Sequence, residues 1–368
     1  MTKNEMIETP LTATTRKLTS LDNTAQEASY FPYFDYLRIL LASVVMLHHD
    51  DVIGWHHSGA LAVDVFFAMS GWLIGSILLE TPRHKLPRFY FNRAIRIWIP
   101  YYLAVGAMIA ASILKDPIDT KWFEFVIYKI TWVYNIFGTP QLADCVQCMP
   151  LDGTGNHVWS VNAEEQFYLW APIFLVILAS FGRSPVTWVL FAGVSWYFEI
   201  YAPISLGVLA AILAKRYGDF YNNAKARLAF GIVIALCTLG FIFDDHFYWY
   251  SPLFSIAVVL FFAIHGKQHK YGALLGGMSY PLYLNHWIGV FVFNMVLDPF
   301  GLRDSPLRQL LASLLSLGIA AFLYWFIERK VLAMRSKIYT EKLGKFFTAS
   351  AYLTVIAGTA YGVYMLNA

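Results

Sequence analysis

The chain has 368 residues, of which 58% are hydrophobic, 17% aromatic and only 14% charged, and its mean hydropathy is +0.51. Because about a quarter of the residues in a soluble domain are charged, this composition indicates a polytopic membrane protein. The formal net charge of +3 is too small and too dispersed for a nucleic-acid-binding protein, so we interpret the basic residues as topology signals.

The N-terminal segment is polar and has no apolar core, so it lacks the features of a cleavable signal peptide. We expect residues 1–30 to form a disordered cytoplasmic tail. Residues 31–335 are expected to form one membrane domain. Residues 336–368 should then be a cytoplasmic linker followed by an additional C-terminal transmembrane helix.

Eleven mostly apolar segments follow the tail, and a membrane-spanning helix needs about twenty such residues. They lie at residues 33–51, 60–80, 97–114, 160–181, 185–200, 202–215, 228–243, 247–264, 273–297, 309–328 and 346–366. The sequence therefore predicts an all-α membrane bundle of about ten core transmembrane helices plus one C-terminal helix. Residues 185–200 and 202–215 are short and adjacent, so they are either two spans or one broken pair.

Residues 123–137 are also apolar, but this run is short and contains Lys129, which favours a re-entrant or interfacial helix over a span. If the run does not cross, the basic loops fall on one side of the membrane. The clearest of them carries Arg83, Lys85, Arg88, Arg93 and Arg96. Since short loops rich in lysine and arginine stay in the cytoplasm, the N-terminus is predicted to be cytoplasmic.

Cys145 and Cys148 form a C-x-x-C pair in a loop that this topology places on the external side of the membrane. An isolated pair without histidine ligands is weak evidence for zinc or redox chemistry, and no metal site is expected. A local disulfide is the favoured interpretation if the loop faces an oxidising compartment. The sequence does not determine whether that bond forms.

Arg38 and His49 lie eleven residues apart in the first predicted span, FPYFDYLRILLASVVMLHHDD. Eleven residues make about three helical turns, so both side chains lie on one face. A charge inside a membrane helix costs about 2.5–3.5 kcal/mol, and such residues usually face an internal cavity that serves chemistry or transport. This pair is the first candidate for a functional site.

Asp64 interrupts the second predicted span and is followed by the small residues Ser70 and Gly71. Small residues allow a helix or a ligand to approach closely. The carboxylate is either structural, paired with Arg38 or with a helix terminus, or catalytic. A polar partner is required in both cases.

Arg93 and Arg96 precede the third predicted span and are three residues apart, so they are neighbours on a helix surface. The arginine fork fits phosphate geometry, and the pair is a candidate for binding the phosphates of a cytoplasmic cofactor. The alternative is that both residues only anchor the helix at the cytoplasmic membrane edge.

The segment HVWSVNAEEQFYLWAP opens the fourth predicted span. Asn162 and Glu165 have the spacing of a capping box, which predicts a structural role for Glu165. Glu164 lies about 100° further round the helix and is the better candidate for a base or for a partner of a histidine.

His286 is a lone imidazole in the apolar segment SYPLYLNHWIGVFVFN. It is either a buried hydrogen-bonding group or a catalytic one. The sequence contains no phosphate-binding glycine loop and no H-E-x-x-H zinc motif. A site of histidine, carboxylates and arginines inside a membrane fits a group-transfer enzyme or a proton-coupled transporter.

Five of these pieces occur together in a recognisable order. They are FDYLRILLASVVMLHH, VDVFFAMSGWLIG, RFYFNRAIRIWIPYY, WSVNAEEQFYLWAP and SYPLYLNHW. In this respect the chain resembles the acyltransferase-3 family of integral membrane acyltransferases, which modify extracytoplasmic glycans and other acceptors. The resemblance runs from about Tyr33 to Arg329 and corresponds to the stand-alone type, without the appended esterase-like domain of some members.

The resemblance assigns functional roles residue by residue. The arginine and histidine of the family's first span correspond to Arg38 and His49, whereas His48 points elsewhere. The other family positions correspond to Asp64, the Arg93 and Arg96 pair, Glu164 and His286.

The resemblance implies an O-acyltransferase of the cytoplasmic (bacterial inner) membrane that uses acyl-CoA, with acetyl-CoA as the expected donor substrate and no permanently bound cofactor. The implied acceptor is a sugar hydroxyl on a surface polysaccharide or its lipid-linked precursor. Arg38, Arg93 and Arg96 would hold the donor, and His49 would deprotonate the hydroxyl or relay its proton. Glu164 or Asp64 would orient that imidazole or balance its charge.

The rival hypothesis is a transporter or flippase in which the same groups conduct protons. Transporters often contain internal repeats, and none is visible in this sequence. A purely structural membrane subunit would leave the intramembrane charges without a purpose. The acyl group, the acceptor hydroxyl and the oligomeric state are not encoded in a recognisable motif.

Overall fold

The structure, a computed structural model, describes residues 30–142, 144–244 and 246–367. The predicted cytoplasmic tail, apart from Tyr30, lies outside the described residues. All regular secondary structure in the described ranges is helical, which confirms the predicted all-α class.

The α-helices, in chain order, are α1 Pro32–His49, α2 Ser58–Glu80, α3 Leu86–Lys115, α4 Thr120–Ile130, α5 Tyr134–Phe137, α6 Val158–Pro172, α7 Ala179–Gly182, α8 Pro185–Tyr197, α9 Ala202–Tyr217, α10 Ala224–Phe243, α11 Phe247–Phe262, α12 Lys270–Leu297, α13 Pro306–Leu323, α14 Arg329–Ile338 and α15 Glu341–Asn367. Single π-helical turns follow α6 at Ile173–Ile177 and α13 at Tyr324–Glu328.

Each of the eleven predicted segments falls in a helical region, although residues 160–181 are divided among α6, a π-helical turn and α7, and residues 309–328 extend from α13 into the second π-helical turn. Within the described ranges, five helical stretches are long and apolar enough to cross a membrane by length and composition. They are Ser58–Glu80, Arg83–Lys115, Ala224–Phe243, Pro306–Ile338 and Glu341–Asn367. The other predicted spans are helical but do not meet both criteria, so the membrane character is confirmed and the total of about ten crossings stays a prediction.

The apolar run 123–137, for which the sequence predicted one re-entrant or interfacial helix, is divided between two short helices. Helix α4 begins after Asp119, whose side chain accepts a hydrogen bond from the Trp122 backbone N–H at 2.8 Å. The chain then turns at Trp132, which has a φ of 63°, before α5 begins. Neither helix has the length of a span.

The centre of the bundle is formed by α1, α2, α9 and α12. Gly71 of α2 and Gly207 of α9 lie at the closest approach of those two helices, where a Cβ on either residue would collide with a backbone carbonyl of the other helix. Helix α1 packs between α2 and α12, with Gly276 of α12 against Asp35. This packing directs the Arg38 and His49 face of α1 towards the interior of the bundle.

Two local predictions about the arginine and glutamate segments are wrong. The placement of Arg93 and Arg96 in a loop is wrong, because α3 begins at Leu86 and continues through Pro100, whereas their predicted adjacency on a helix surface is confirmed. Asn162 is not a helix cap, because α6 begins four residues earlier at Val158. Its side chain instead donates to the carbonyl of Val158 at 3.0 Å and accepts from the backbone N–H of Tyr134 at 3.0 Å.

Candidate active site

Three imidazoles from three different helices meet at one end of the bundle. His49 is the last residue of α1, His286 lies in the middle of α12, and His157 immediately precedes α6. The rings of His49 and His286 are stacked with centroids 5.1 Å apart, and the His157 ring is 4.4 Å from that of His286. His157 and His286 are buried, whereas His49 is exposed. We call these three residues the histidine cluster.

The hydrogen bonds of the histidine cluster determine which nitrogen of His49 is basic. His286 Nδ1 lies 2.9 Å from the carbonyl oxygen of Tyr283, which can only accept, so Nδ1 carries the proton. Nε2 of a neutral His286 must then accept, and it lies 3.1 Å from His49 Nδ1. His49 Nδ1 is therefore the donor. The lone pair of His49 is on Nε2, where a neutral imidazole can take a proton from a substrate.

His48 is outside the histidine cluster, as the sequence predicted. Its Nδ1 lies 3.0 Å from Ser58 Oγ at the start of α2, and its ring packs against Gly59. The His48 ring meets that of His49 edge-on, with centroids 5.4 Å apart. Because adjacent residues of a helix point about 100° apart, its Nδ1 faces Ser58 and not His286.

His157 was missed by the sequence reasoning, although it begins the segment HVWSVNAEEQFYLWAP. The Nε2 atom of His157 lies 3.3 Å from the carbonyl oxygen of Leu284. The hydroxyl of Tyr283 donates a hydrogen bond to the backbone carbonyl of His157 at 3.0 Å. Ser160 Oγ is 2.6 Å from the same Tyr283 hydroxyl. A histidine at the start of a helix carries no periodic signal, so only the folded contacts identify it.

Arg38 lies in the first half of α1, eleven residues before His49. Its Nη1 is 3.2 Å from Asp35 Oδ1, and its charge interacts unfavourably with that of Arg96. Of the alternatives for Asp64, the pairing with Arg38 is not formed, because the carboxylate that Arg38 meets is one turn away on the same helix.

Asp64 faces a different part of the bundle. Its carboxylate is hydrogen-bonded to Ser251 of α11 and interacts with Tyr248. The contacts of His49 are instead with His286, His157 and His48. The structure therefore does not bring Asp64 to the imidazole that it was expected to orient. Two faces of one apolar helix cannot be distinguished by periodicity when both are buried.

Arg93 and Arg96 line a cavity of about 880 Å³ at the opposite end of α1 from His49. The basic side chains on its wall are Lys85, Arg88, Arg93, Arg96, Lys215 and Arg335, against two acidic ones, Glu80 and Asp219. The guanidinium of Arg93 lies 5.4 Å from the ring centroid of Tyr168, and Arg96 is exposed. Six basic groups against two acidic groups make this basic cavity suited to an anionic ligand.

Glu164 lies between the basic cavity and the histidine cluster. Its carboxylate accepts a hydrogen bond from Ser70 of α2 and interacts with Tyr168, Arg93 and Arg96. The predicted separation of the two glutamates is confirmed, because Glu165 points away and accepts a hydrogen bond from Trp98 Nε1 at 2.7 Å. Glu164 does not touch an imidazole, so a direct partnership with His49 is not formed.

Helix α6 connects the two ends of the site. Tyr168 and Glu164 lie near the basic cavity, Ser160 bonds Tyr283, and His157 joins the histidine cluster. His157 and Glu164 are seven residues apart, which is about 10 Å along a helix. The arrangement combines a pocket for anions with an accessible base about 16 Å away along α1. The described residues contain no cluster of side chains that could hold a metal ion.

Comparison with known proteins gives a family match. The family model described as "Acyltransferase domain" (Acyl_transf_3) matches residues 31–325. The Peptidoglycan O-acetyltransferase OatA of Listeria monocytogenes is 27% identical over 182 residues, which cover 44% of this chain and 27% of that protein. A candidate O-acetyltransferase of Staphylococcus aureus (strain COL) is 31% identical over 221 residues, covering 57% of this chain and 33% of that protein.

A candidate membrane-bound transacylase, BcsY of Komagataeibacter xylinus, matches over nearly the whole of both chains. It is 25% identical, and the match covers 92% of this chain and 94% of that protein. By contrast, the matches cover only 27% and 33% of the first two relatives. No solved structure matches the chain significantly.

Proposed function

Because the chain belongs to the acyltransferase domain family, we propose that it is a membrane O-acyltransferase that transfers an acyl group from acyl-CoA to a hydroxyl of an extracytoplasmic glycan or its lipid-linked precursor. We further propose acetyl-CoA as the donor and the bacterial inner membrane, with a cytoplasmic N-terminus, as the location. The observation that carries this proposal is the pairing of the basic cavity with the accessible base at His49.

The donor would bind with its phosphates in the basic cavity. Coenzyme A carries three phosphate groups, and arginine forks bind phosphate with two parallel hydrogen bonds. Arg93 and Arg96 line the cavity wall, and Arg38 lies close enough to Arg96 for the two charges to repel. An anion between these guanidinium groups would relieve that repulsion.

The chemical step would occur at His49. Nε2 takes the proton of the acceptor hydroxyl while the hydroxyl oxygen attacks the thioester carbonyl. The tetrahedral intermediate then collapses to the ester, the C–S bond breaks, and the imidazolium returns its proton to the coenzyme A thiolate. His286 would act as a positioning residue, because its Nε2 accepts a hydrogen bond from the protonated Nδ1 of His49. The acyl chain of the ester product is then on the acceptor oxygen.

Glu164 would balance the charge of the arginines rather than orient the base. It interacts with Arg93 and Arg96 but has no contact with the histidine cluster. Its hydrogen bond to Ser70 fixes it between α2 and α6. We therefore assign Glu164 to the donor side of the site.

Purified protein tests the proposal directly. With radiolabelled acetyl-CoA and membrane glycan as acceptor, we expect donor hydrolysis or transfer by the native protein. His49→Ala should reduce the rate by about 10²–10⁴-fold, the usual contribution of a general base. His48→Ala is the matched control, because it removes the neighbouring imidazole, and it should have little effect.

Two results would contradict the proposal. Equal loss of activity in His48→Ala and His49→Ala would show that the imidazoles are structural. Proton-coupled movement of a glycan across proteoliposomes, without any acyl transfer, would support the transporter instead.

A further inference from the structure

The buried ammonium of Lys129 on α4 has no anionic partner among the described residues. Its residue is only 3% exposed. Among the other buried charged residues, Arg308 pairs with Asp50 and Glu124 pairs with Lys121 at 2.7 Å. Glu165 and Glu328 are also buried, and each has one carboxylate oxygen without a hydrogen-bond partner among the described residues. Burying an unpaired ammonium is unfavourable, and it is normally compensated by an anion or by hydrogen bonds.

The contact that Lys129 does make is with an aromatic ring. Its Nζ lies 4.8 Å from the ring centroid of Tyr134, so the ring face offsets part of the lost hydration. Burial nevertheless lowers the pKa of Lys129 to about 8, because no negative charge stabilises the protonated form.

The backbone of Lys129 is held firmly against the catalytic helix α6. The hydroxyl of Tyr101 donates to the Lys129 carbonyl at 2.8 Å, and Asn162 donates to the same hydroxyl at 2.8 Å. Asn162 also accepts from the Tyr134 backbone N–H at 3.0 Å. These hydrogen bonds hold the backbone of Lys129 against α6, so the side chain begins from a fixed position beside that helix.

Lys129 is also close to the reactive end of the site. The ring on which it rests belongs to Tyr134, whose hydroxyl bonds Asn156, the residue before His157. The ammonium interacts electrostatically with His157 itself. Because the basic cavity lies at the other end of α1, the phosphates of a donor bound there do not reach this position.

We propose that Lys129 forms an anion-binding subsite for the acceptor, beside the histidine cluster, which takes a carboxylate or a phosphate group carried by the acceptor sugar. This inference rests on the proposed function, since it assigns the acceptor to the His49 end. A lysine binds either group as a point charge, so the structure favours the anionic chemistry without selecting its source.

Binding of small sugars to the purified full-length protein tests this subsite without any acyl donor. The probes are glucuronate, glucose 1-phosphate and the neutral sugar glucose, titrated by calorimetry. We expect at least one anionic sugar to bind about tenfold or more tightly than glucose, as for a charge-assisted contact. Lys129→Met should abolish that difference, and Lys129→Arg should retain part of it.

The control is Lys225→Met, which removes an exposed lysine at the start of α10. It should bind all three sugars like the native protein. A preference for glucuronate would identify a uronate-type acceptor, and a preference for glucose 1-phosphate a phosphate-bearing one.

The subsite would be refuted by native protein that binds neither anionic sugar more tightly than glucose, a result that needs no variant to fold. It would also be refuted if Lys129→Met kept the native preference. Titration of the same samples with coenzyme A tests the donor side separately. If the native protein did not bind coenzyme A but still showed a sugar preference that depends on Lys129, the proposed function would be contradicted and the anion subsite would stand.

Discussion

The exposure of His49 distinguishes it from the other two imidazoles of the histidine cluster. His286 is 1% exposed and His157 is 5% exposed, so neither can meet a substrate directly. Their hydrogen bonds to backbone carbonyls fix their tautomers, and His286 in turn fixes that of His49. A buried, backbone-bonded partner that orients a basic imidazole is a common arrangement in enzymes, because it places the lone pair where the proton is transferred.

We predict that His286→Phe lowers kcat by about tenfold or more while the KM for the donor changes little. The ring of phenylalanine fills the space but cannot accept a hydrogen bond from His49 Nδ1, so His49 keeps its backbone hydrogen bond to Val45 but loses the partner that orients it within the histidine cluster. Steady-state kinetics with acetyl-CoA measures both parameters. An unchanged kcat would mean that the hydrogen bond between His49 and His286 does not contribute to the reaction.

The matched control for this variant is Asn285→Leu. Asn285 is the neighbouring buried polar residue, and its side chain donates a hydrogen bond within its own helix, to the carbonyl of Pro281 at 3.0 Å. Its substitution tests the packing of α12 without changing the imidazoles. A larger loss in this variant than in His286→Phe would indicate that α12 is simply sensitive to substitution.

Sequence reasoning identified most individual residues of the site but not their partners. His49 and His286 were both predicted, and the structure brings them into contact. The sequence left open whether Asp64 pairs with Arg38, and the structure pairs Arg38 with Asp35 instead, because the choice between two carboxylates depends on helix rotation, which is a tertiary property. His157 was missed for the same reason, since its role depends on its distance from residues more than a hundred positions away.

At the level of helices, α3 supplies both the membrane crossing and the cationic wall of the basic cavity. The helix is 30 residues long, so Arg93 and Arg96 belong to its N-terminal part rather than to a loop. This fixes the guanidinium groups on a rigid element, which favours precise binding of phosphate over simple anchoring at the membrane edge.

We predict that Arg93→Ala and Arg96→Ala raise the donor KM, and that lysine restores only part of the loss, because a lysine cannot form the two parallel bonds of a guanidinium. Loss of one charge-assisted hydrogen bond should weaken donor binding by about tenfold or more. Equilibrium binding of coenzyme A checks the effect. The control is Arg227→Ala, in the first turn of α10, which should leave coenzyme A binding unchanged.

If both arginine variants bound coenzyme A normally but inserted poorly into the membrane, the two residues would be topology anchors. Quantification of inserted protein in the same membranes separates that outcome from lost donor binding.

The close contact between α2 and α9 gives a stability prediction. Gly71→Leu should lower the melting temperature, because its side chain would collide with the Ile204 carbonyl, and overpacking typically costs about 1–3 kcal/mol. Gly318→Leu on α13 has open space and should be neutral or slightly stabilising, since glycine is a poor helix former. Thermal unfolding in detergent compares the two. Equal changes in melting temperature for the two variants would mean that the contact between α2 and α9 has room for a larger side chain.

The helices themselves were predictable from apolar run length, whereas their irregularities were not. All eleven predicted segments are helical, but the π-helical turns Ile173–Ile177 and Tyr324–Glu328 had no signal in the sequence. Such turns need one extra residue per turn and depend on neighbours: Arg83 donates to the carbonyl of Val176 at 3.3 Å and also bonds that of Ile177. The disulfide between Cys145 and Cys148, which the sequence left open, is formed in the structure.

For the whole molecule, the predicted sidedness follows from treating residues 123–137 as a segment that does not cross. Tags after Lys17, within residues 83–93 and near Gln268 should be accessible from the cytoplasm. Tags near Asp152 and at the C-terminus should be accessible from outside. Labelling of single introduced cysteines with an impermeant reagent measures this, and external labelling near Gln268 would overturn the topology.

The separation of the two ends of the site predicts that donor and acceptor approach from opposite faces of the membrane. Arg38 and His49 are eleven residues apart on α1, or about 16 Å along the helix axis. The basic cavity lies beside Arg96 at one end, and the histidine cluster lies at the other. A donor held by its phosphates at Arg93 and Arg96 must therefore extend its pantetheine arm between the helices to bring the thioester to His49.

In sealed proteoliposomes of known orientation, acetyl-CoA supplied only on the cytoplasmic face should acylate an acceptor confined to the other face. Addition of both substrates to the outer face alone should give no product, since the basic cavity would be inaccessible. Transfer only when both substrates share one side would refute the crossing arrangement, although the chain could still be an acyltransferase with both substrates entering from that side.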